Sequence, residues 1–182
     1  PPVYATHDAP HQLLVVLVEF SDLKFERFAK DLQQPQKLQN YYQDYLFDPH
    51  YKKVDTLSHY YYTQSLGQYH LQGKVLPPIT LDHSRAHYGR PKRVAGSDWR
   101  NDSEVEDLIE EVLRKVGEQH PTLAWNHFDQ WDPKDHDQDG VLTEADGYLD
   151  HLVVVYAGGG QASCHSLYKL QDHLNPNVGV DA

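Results

Sequence analysis

The sequence predicts an α/β or α+β domain in which a mixed β-sheet is packed by about three helices. Three observations carry this prediction: an apolar run at residues 13–20, an amphipathic pattern beginning near residue 103, and a second apolar run at residues 148–157. The predicted order is strand, helix, helix, strand, helix, strand. Because no repeat or linker interrupts the chain, we expect residues 1–182 to form a single domain.

The first strand is predicted at Leu13–Phe20, because an unbroken apolar and β-branched run of this length is typical of a strand buried on both faces. A first helix is predicted from side chains at helical spacing, namely Leu38, Tyr41, Tyr42, Tyr45 and Leu46. Asp48-Pro49 ends it. A second, short helix is predicted at residues 59–66, with Ser58 as its N-cap and Gly67 just after its C-terminus.

A second strand with one solvated face is predicted from the alternation of Tyr69, Leu71, Gly73 and Val75 with polar residues. Residues 77–100 contain several prolines and glycines and predict a long loop. The clearest helix begins at a capping box, Ser103–Glu106. Its apolar stripe consists of Val105, Leu108, Ile109, Val112, Leu113 and Val116, and Gly117 and Pro121 end it. The last strand is predicted at residues 148–157.

Composition and charge exclude several classes of partner. The net charge of −11 argues against a nucleic-acid partner, because binding a phosphate backbone requires a basic face. The longest apolar runs are too short to span a membrane. The chain begins Pro1-Pro2 and contains no methionine, so we expect processing to have set its ends. Its one cysteine, Cys164, excludes a disulfide within residues 1–182, and it is either free or paired with a segment outside them.

An acidic stretch at residues 135–146 has the ligand spacing of a calcium loop of the EF-hand type. Asp135, Asp137 and Asp139 occupy positions 1, 3 and 5, and Gly140 permits the sharp turn at position 6. The carbonyl of Val141 at position 7 and the carboxylate of Asp146 at position 12 complete the predicted ligand set. The alternatives are a solvated acidic turn and a magnesium site, which would need stricter octahedral geometry. Since a strand rather than a helix is predicted to follow, we expect a static structural role.

The thirteen histidines suggest zinc, but no set of them has convincing ligand spacing. His83 and His87 stand four residues apart without a glutamate between them, among prolines and glycines that indicate a surface loop. Cys164, His165 and His173 lack the partners of a structural zinc site, and His151 is more readily explained as a structural residue. Neither HExxH nor Gly-x-Ser-x-Gly occurs in the chain.

Several segments taken in order resemble one known family. They are residues 16–22, 58–67, 71–75, 128–132, the acidic loop at 135–140, and 146–161, so that the likeness spans residues 14–161. This pattern resembles the opening of the catalytic domain of the immune inhibitor A family of secreted metallopeptidases. Ala145 and Tyr156 depart from it, where the family leads us to expect proline and histidine.

The resemblance implies a zincin-like fold, secretion, bound calcium, and proteolysis by a zinc-bound water with a glutamate as general base. In such enzymes the HExxH helix follows the glycine-rich turn, so zinc is expected on a segment outside this chain. No zinc ligand or catalytic residue can therefore be assigned here, and the catalytic residues stay unknown. The zinc-binding C-terminal part is expected as a second polypeptide, with an inactive fragment as the other explanation.

Two functions follow from these observations. The first is part of a secreted zinc-dependent endopeptidase that hydrolyses proteins, to which this chain supplies the sheet, a structural calcium site and part of the substrate cleft. Gly158, Gly159 and Gly160 would let a peptide approach the backbone closely, although they are equally explained as a turn. The alternative is a non-catalytic calcium-binding module, for which the tyrosine-rich segment 41–62 offers an adhesive face if its side chains are not in the core.

Overall fold

The computed structural model describes residues 10–25, 34–51, 55–89, 92–93, 99–100 and 105–159. In chain order the elements are β1 (His11–Glu19), α1 (Pro35–Phe47), α2 (Leu57–Gln64), β2 (Leu71–Thr80), α3 (Arg85–Gly89), β3 (Lys92–Arg93), β4 (Trp99–Arg100), α4 (Val105–Gln119), a 3₁₀ helix (Trp125–Phe128) and β5 (Leu152–Tyr156). The architecture is therefore mixed α/β. Four helices accompany a three-stranded sheet of order β2-β1-β5 and a two-stranded ribbon of β3 and β4.

The chain divides into two compact units. The first unit comprises Pro1–Leu17, Gln34–Pro77 and Thr122–Val155. The second unit comprises Val18–Gln33, Pro78–Pro121 and Tyr156–Ala182. The acidic loop lies in the first unit, and Gly158 and Gly159 lie in the second.

Strand β1 forms the centre of the sheet and confirms the strand predicted from the first apolar run. Its residues 14–18 have no exposed surface. The Leu14 amide donates to the His151 carbonyl and the Ala157 amide donates to the Val18 carbonyl, so β1 and β5 run parallel. The His11 amide likewise donates to the His70 carbonyl and the Leu81 amide to the Glu19 carbonyl, so β2 is parallel to β1 and the described three-stranded sheet is parallel rather than mixed. Full burial of each such side chain contributes about 1.5–3 kcal/mol, which makes β1 the main apolar anchor of the fold.

The predicted long loop at residues 77–100 is wrong, because regular elements occupy much of it. Strand β2 continues through Pro77 and Pro78 to Thr80. Consecutive amides of a strand point to opposite sides, so the edge position of β2 among the described strands accounts for the one proline whose amide position faces away from the sheet. Beyond β2 come α3 and the antiparallel β3–β4 pair, in which Lys92 faces Arg100. At the other end, β5 is shorter than predicted, since residues 148–151 are irregular.

Glutamine side chains of α1 pair with the exposed backbone of β2. The Gln43 amide donates to the Gly73 carbonyl (2.9 Å) and its side-chain oxygen accepts from the Val75 amide (2.9 Å). Gln39 donates to the Val75 carbonyl (2.7 Å). These side chains thus substitute for a further strand, which protects an edge that would otherwise be open to association.

The second helix of the first unit begins and ends two residues earlier than predicted. Thr56, rather than Ser58, is the N-cap of α2, because its hydroxyl accepts from the His59 amide (3.3 Å). The Ser58 hydroxyl instead donates to the Leu71 carbonyl (2.6 Å), a contact with β2 that the local sequence does not reveal. Gly67 lies one position farther from the helix than predicted. Ser65 is the C-cap and Leu66 (φ 55°) takes the C′ position, and Gly67 follows with φ +81° and donates its amide to the Tyr62 carbonyl (2.8 Å).

In the second unit, α4 packs through the predicted apolar stripe, with Val112 and Val116 fully buried. Ser103 and Glu104 of the predicted capping box lie outside the described residues. Gly117 does not end the helix, which continues to Gln119 because the glycine is exposed and nothing crowds it. The Glu111 carboxylate accepts from the Asp82 amide (2.8 Å) and from the Tyr88 hydroxyl, tying α4 to the segment around α3.

Candidate metal centre in the acidic loop

The acidic loop between the 3₁₀ helix and β5 is closed at its base by Asp129. The two carboxylate oxygens of Asp129 accept hydrogen bonds from the backbone amides of Asp146 (2.9 Å) and Gly147 (3.0 Å). The Asp150 amide also donates to the Phe128 carbonyl (2.9 Å). The two ends of the loop are thereby held side by side, so that its acidic residues are concentrated in a small volume.

Asp132 forms a second anchor inside the loop. Its side chain is buried, and it accepts hydrogen bonds from the His136 amide (2.6 Å), the His136 ring Nδ1 (2.8 Å) and the Lys134 amide (3.2 Å). Burial by itself would raise the pKa of Asp132, but these hydrogen bonds outweigh it and lower the pKa. Asp132 is therefore a charged internal support around which the loop turns.

Three of the predicted calcium ligands converge. Asp135, Asp137 and Asp139 each contribute one carboxylate oxygen to a group whose members lie within 4.8 Å of one another. Calcium binds oxygens at about 2.3–2.6 Å, so two ligands on opposite sides of one ion are separated by about 5 Å. The backbone reaches this geometry through left-handed conformations at Asp135 (φ 50°), Gln138 (φ 63°) and Gly140 (φ 84°). The spacing therefore suits a single cation of this size.

Asp146 lies in a different group, with Asp132 and His136. One of its oxygens accepts from the Tyr148 amide (2.9 Å), and the other lies 3.7 Å from the His136 ring. Its role at position 12, and that of the Val141 carbonyl at position 7, stay predictions.

Glu144 was not among the residues singled out from the sequence, although it stands at position 10 of the same loop. Its carboxylate groups with those of Asp132 and Asp137. Burial raises the pKa of Glu144, and the surrounding carboxylates of Asp139, Asp137, Asp132 and Asp135 raise it further. The loop thus concentrates negative charge for which the described residues provide little compensation.

The glycines after β5 were predicted to approach a substrate. At Gly158, φ is +110°, and an added Cβ would lie 2.7 Å from the Leu23 Cδ2 and 3.1 Å from an Arg85 guanidinium nitrogen. Arg85 also donates to the Gly159 carbonyl (3.4 Å). Gly158 therefore has a structural requirement of its own within the second unit, and Gly160 lies outside the described residues.

The histidines considered as zinc ligands lie only partly where the sequence predicts them. His83 is exposed, as a surface loop requires, whereas His87 lies in α3 and is only partly exposed. His83 and His87 stack with ring centroids 4.0 Å apart, and neither belongs to a group of three possible metal ligands in the described part of the chain. His151 is exposed and immediately precedes β5. Cys164, His165 and His173 lie outside the described residues.

The tyrosines of α2 lie at the surface. Tyr60, Tyr61 and Tyr62 are 53%, 43% and 47% exposed, so they do not belong to the core. None of the helices that the structure describes has the length and apolar character required to cross a bilayer.

Comparison with known proteins identifies the family. A family model described as "Immune inhibitor A peptidase M6, catalytic domain" matches residues 3–167. The chain belongs to this family. It is 30% identical over 159 residues to immune inhibitor A of Bacillus thuringiensis subsp. alesti, a match that covers 82% of this chain and 23% of that protein. It is 24% identical over 161 residues to the pre-pro-metalloprotease PrtV of Vibrio cholerae serotype O1 strain M66-2, covering 82% of this chain and 17% of that protein.

The M6 match confirms the resemblance drawn from the sequence motifs, and its range includes the whole acidic loop. The chain spans about a quarter or less of the length of these curated relatives. Membership of a peptidase catalytic domain is therefore established for these residues.

Proposed function

We propose that this chain is the front portion of the catalytic domain of a secreted, zinc-dependent endopeptidase with a zincin-like fold, and that its acidic loop binds a structural calcium ion. The observation that carries the proposal is the catalytic-domain match over residues 3–167. The names of the relatives, an immune inhibitor A and a metalloprotease, support hydrolysis of protein substrates. Secretion rests on the family resemblance.

Calcium fits the acidic loop on chemical grounds. Hard carboxylate oxygens are the ligands that calcium prefers, and three of them lie within 4.8 Å of one another. Asp135, Asp137 and Asp139 would hold the ion, with the Val141 carbonyl and Asp146 as the further ligands. The ion would relieve the repulsion that raises the pKa of Glu144. Its role would be to fix the 3₁₀ helix and β5 relative to each other, since the loop connects them.

Zinc does not fit the residues described. The groups of at least three possible metal ligands in the described ranges contain one histidine between them, His136. Its partner Asp132 already accepts hydrogen bonds from the loop, whereas a catalytic zinc needs about three committed protein ligands and an open position. The chain also contains no HExxH. The zinc ligands would therefore lie outside the residues described, and no hydrolytic step is assigned to these residues.

The contribution of this chain to the substrate cleft would be the backbone at and after β5. An extended peptide can pair with the edge of a sheet through main-chain hydrogen bonds, and β5 is an edge strand among those described. Gly159 and Gly160 stay candidates for close approach of a peptide. Gly158 is a weaker candidate for contact with a peptide, because it packs against Leu23 and Arg85.

The test is casein hydrolysis by the native protein before and after removal of zinc with a chelator of low calcium affinity. We expect activity to disappear on zinc removal and to return when zinc is restored in the presence of calcium. Activity that survives complete zinc removal would contradict the peptidase proposal. A protein that binds calcium but never cleaves casein would instead favour the alternative of a non-catalytic binding module, for which the exposed tyrosines of α2 are the supporting observation.

A further inference from the structure

A cavity of about 650 Å³ lies in the first unit, beside the acidic loop. Residues near the amino-terminal ends of the three parallel strands line it: His11 begins β1, Tyr69 lies two residues before β2, and His151 immediately precedes β5. Trp131 and Tyr148 line it from the loop side. Its walls are thus mainly aromatic, and they come from four separate stretches of the chain.

Two of these rings form one flat surface. The indole Nε1 of Trp131 donates a hydrogen bond to His11 Nδ1 (3.1 Å), and the two ring planes differ by only 2°. Since the N–H bond lies in the plane of the indole, the two rings lie side by side. Tyr69 stacks on His11 with centroids 4.1 Å apart and planes 13° from parallel, which fixes the imidazole in place. The surface is therefore preorganised, with little side-chain entropy left to lose on binding.

A carboxylate accompanies this aromatic surface. Asp150 lines the cavity and is only partly exposed, and one of its oxygens accepts from the Gln130 amide (2.6 Å). Burial raises the pKa of Asp150, although hydrogen bonds from the backbone amides of Gln130 and Trp131 and the neighbouring His151 act in the opposite direction. Asp146 also lines the cavity but belongs to the proposed calcium set. Of the lining residues, Lys134 alone carries a permanent positive charge, and it is exposed to solvent.

Aromatic faces beside a partly desolvated carboxylate suit one class of ligand. The π-faces of indole and phenol rings attract cations, and a planar guanidinium both stacks on such faces and bonds a carboxylate through two parallel N–H groups. A neutral sugar would use the aromatic surface but would gain less from the charge of Asp150. Tyr148, which is 69% exposed, provides a rim that a ligand can cover on entering.

We propose that this cavity binds the arginine side chain of a peptide, with the guanidinium between the His11–Trp131 surface and the Asp150 carboxylate. The site requires neither zinc nor peptide cleavage, so it stands independently of the proposed peptidase activity. If the proposed peptidase function holds, such a site would favour protein substrates that contain basic segments.

Isothermal titration calorimetry of the 182-residue chain in calcium tests the proposal. The probes are acetyl-Gly-Arg-Gly-amide and the same peptide with citrulline, which has the shape of arginine without its charge. We expect the citrulline peptide to bind at least about fivefold more weakly, as the loss of a cation–π contact and a charge-assisted hydrogen bond requires. Trp131→Leu and Asp150→Asn should each lower the affinity for the arginine peptide by a similar factor.

Matched variants outside the cavity serve as controls. Trp125→Leu removes an indole from the 3₁₀ helix, and Asp44→Asn removes a carboxylate from the exposed side of α1. Both should leave the affinity for arginine unchanged. Near-ultraviolet circular dichroism checks that each variant is folded, and the arginine–citrulline comparison on the unmodified chain needs no variant. Equal affinities for the two peptides, no binding at millimolar concentration, or folded Trp131 and Asp150 variants with undiminished affinity would each overturn the proposal.

Discussion

Replacing Gly73 with alanine tests the packing of α1 on β2. A Cβ at this position would lie 2.2 Å from the Phe47 Cζ and 2.6 Å from the Leu13 carbonyl oxygen, both far closer than van der Waals contact. Phe47 ends α1 and can rotate, but the Leu13 carbonyl belongs to the backbone of the central strand β1. The added methyl group therefore cannot be accommodated by moving one side chain, and the spacing of two strands must change.

The cost follows from these contacts. Overpacking a well-packed site costs about 1–3 kcal/mol, and a backbone obstacle places Gly73→Ala near the upper end. In the opposite direction, alanine reduces the conformational entropy of the unfolded chain, which stabilises the folded state by about 0.4–1 kcal/mol. The net loss is about 2 kcal/mol in the free energy of unfolding. For a domain of this size each kcal/mol lowers Tm by about 2–4 °C, so we expect a decrease of about 4–8 °C.

Thermal unfolding followed by circular dichroism, in calcium and at fixed protein concentration, measures this decrease. Gly117→Ala is the matched control, because its Cβ would meet nothing within 4 Å on the exposed side of α4. We expect that control to keep or slightly raise Tm, since alanine is the better helix former. Adding Phe47→Leu to Gly73→Ala should restore only part of the loss. If Gly73→Ala has the same Tm as the wild type, Gly73 does not lie as close to Phe47 of α1 and to Leu13 of β1 as described.

Three further predictions concern the edge strand, the second unit and the metal. Gln43→Leu leaves the Gly73 carbonyl and the Val75 amide without their partner and should cost about 1–3 kcal/mol in urea unfolding, whereas Gln36→Leu, on the exposed side of α1, should cost little. Burial and the bond to Glu111 raise the pKa of Tyr88 above 10.0. The folded state therefore keeps a proton that the unfolded state loses, so stability should fall as pH rises above about 10. Tyr88→Phe should reduce that alkaline loss, while Tyr60→Phe, 53% exposed, should not; equal slopes would exclude the described contact. Asp137→Ala should lower Tm in calcium and change it little in a calcium chelator, and equal shifts in both buffers would count against the metal assignment.

Local sequence patterns predicted the parts of the fold that short-range physics determines. β1 was visible because its burial on both faces requires an unbroken apolar run, and α4 because one helical face must be apolar. The approach of Asp135, Asp137 and Asp139 also follows from local chain geometry, since alternate residues of a tight loop point to one side.

Long-range contacts decided what the sequence could not show. Ser58 has the chemistry of an N-cap, yet its hydroxyl is used by the Leu71 carbonyl, and Thr56 caps α2 instead. Pro77 and Pro78 indicate a loop, and the position of their strand at the edge of the described sheet, which lets one of them be accommodated, is not visible in the local sequence. Gly117 is tolerated within α4 because its position is exposed and a helix glycine costs only about 1 kcal/mol.

The candidate metal centre likewise has one part that follows from a local sequence pattern and another that depends on long-range contacts. The three central aspartates come from one short segment, whereas the support from Asp132 depends on how the loop folds back on the His136 amide and ring. The cavity depends on a hydrogen bond between Trp131 and His11, which are 120 residues apart in the chain. No local pattern connects those two residues, and only the parallel arrangement of the strands brings them together.

Calcium content tests the central claim most directly. The wild-type chain and the Asp137→Ala variant are stripped of metal and dialysed against calcium at a concentration above the dissociation constant of an ordinary loop of this type. The bound calcium per chain is then measured by inductively coupled plasma mass spectrometry. We predict about one calcium ion per chain for the wild type and a large reduction for the variant. A wild-type chain that retains no calcium, or a variant that retains as much as the wild type, would contradict the assignment of residues 135–146 as a calcium loop.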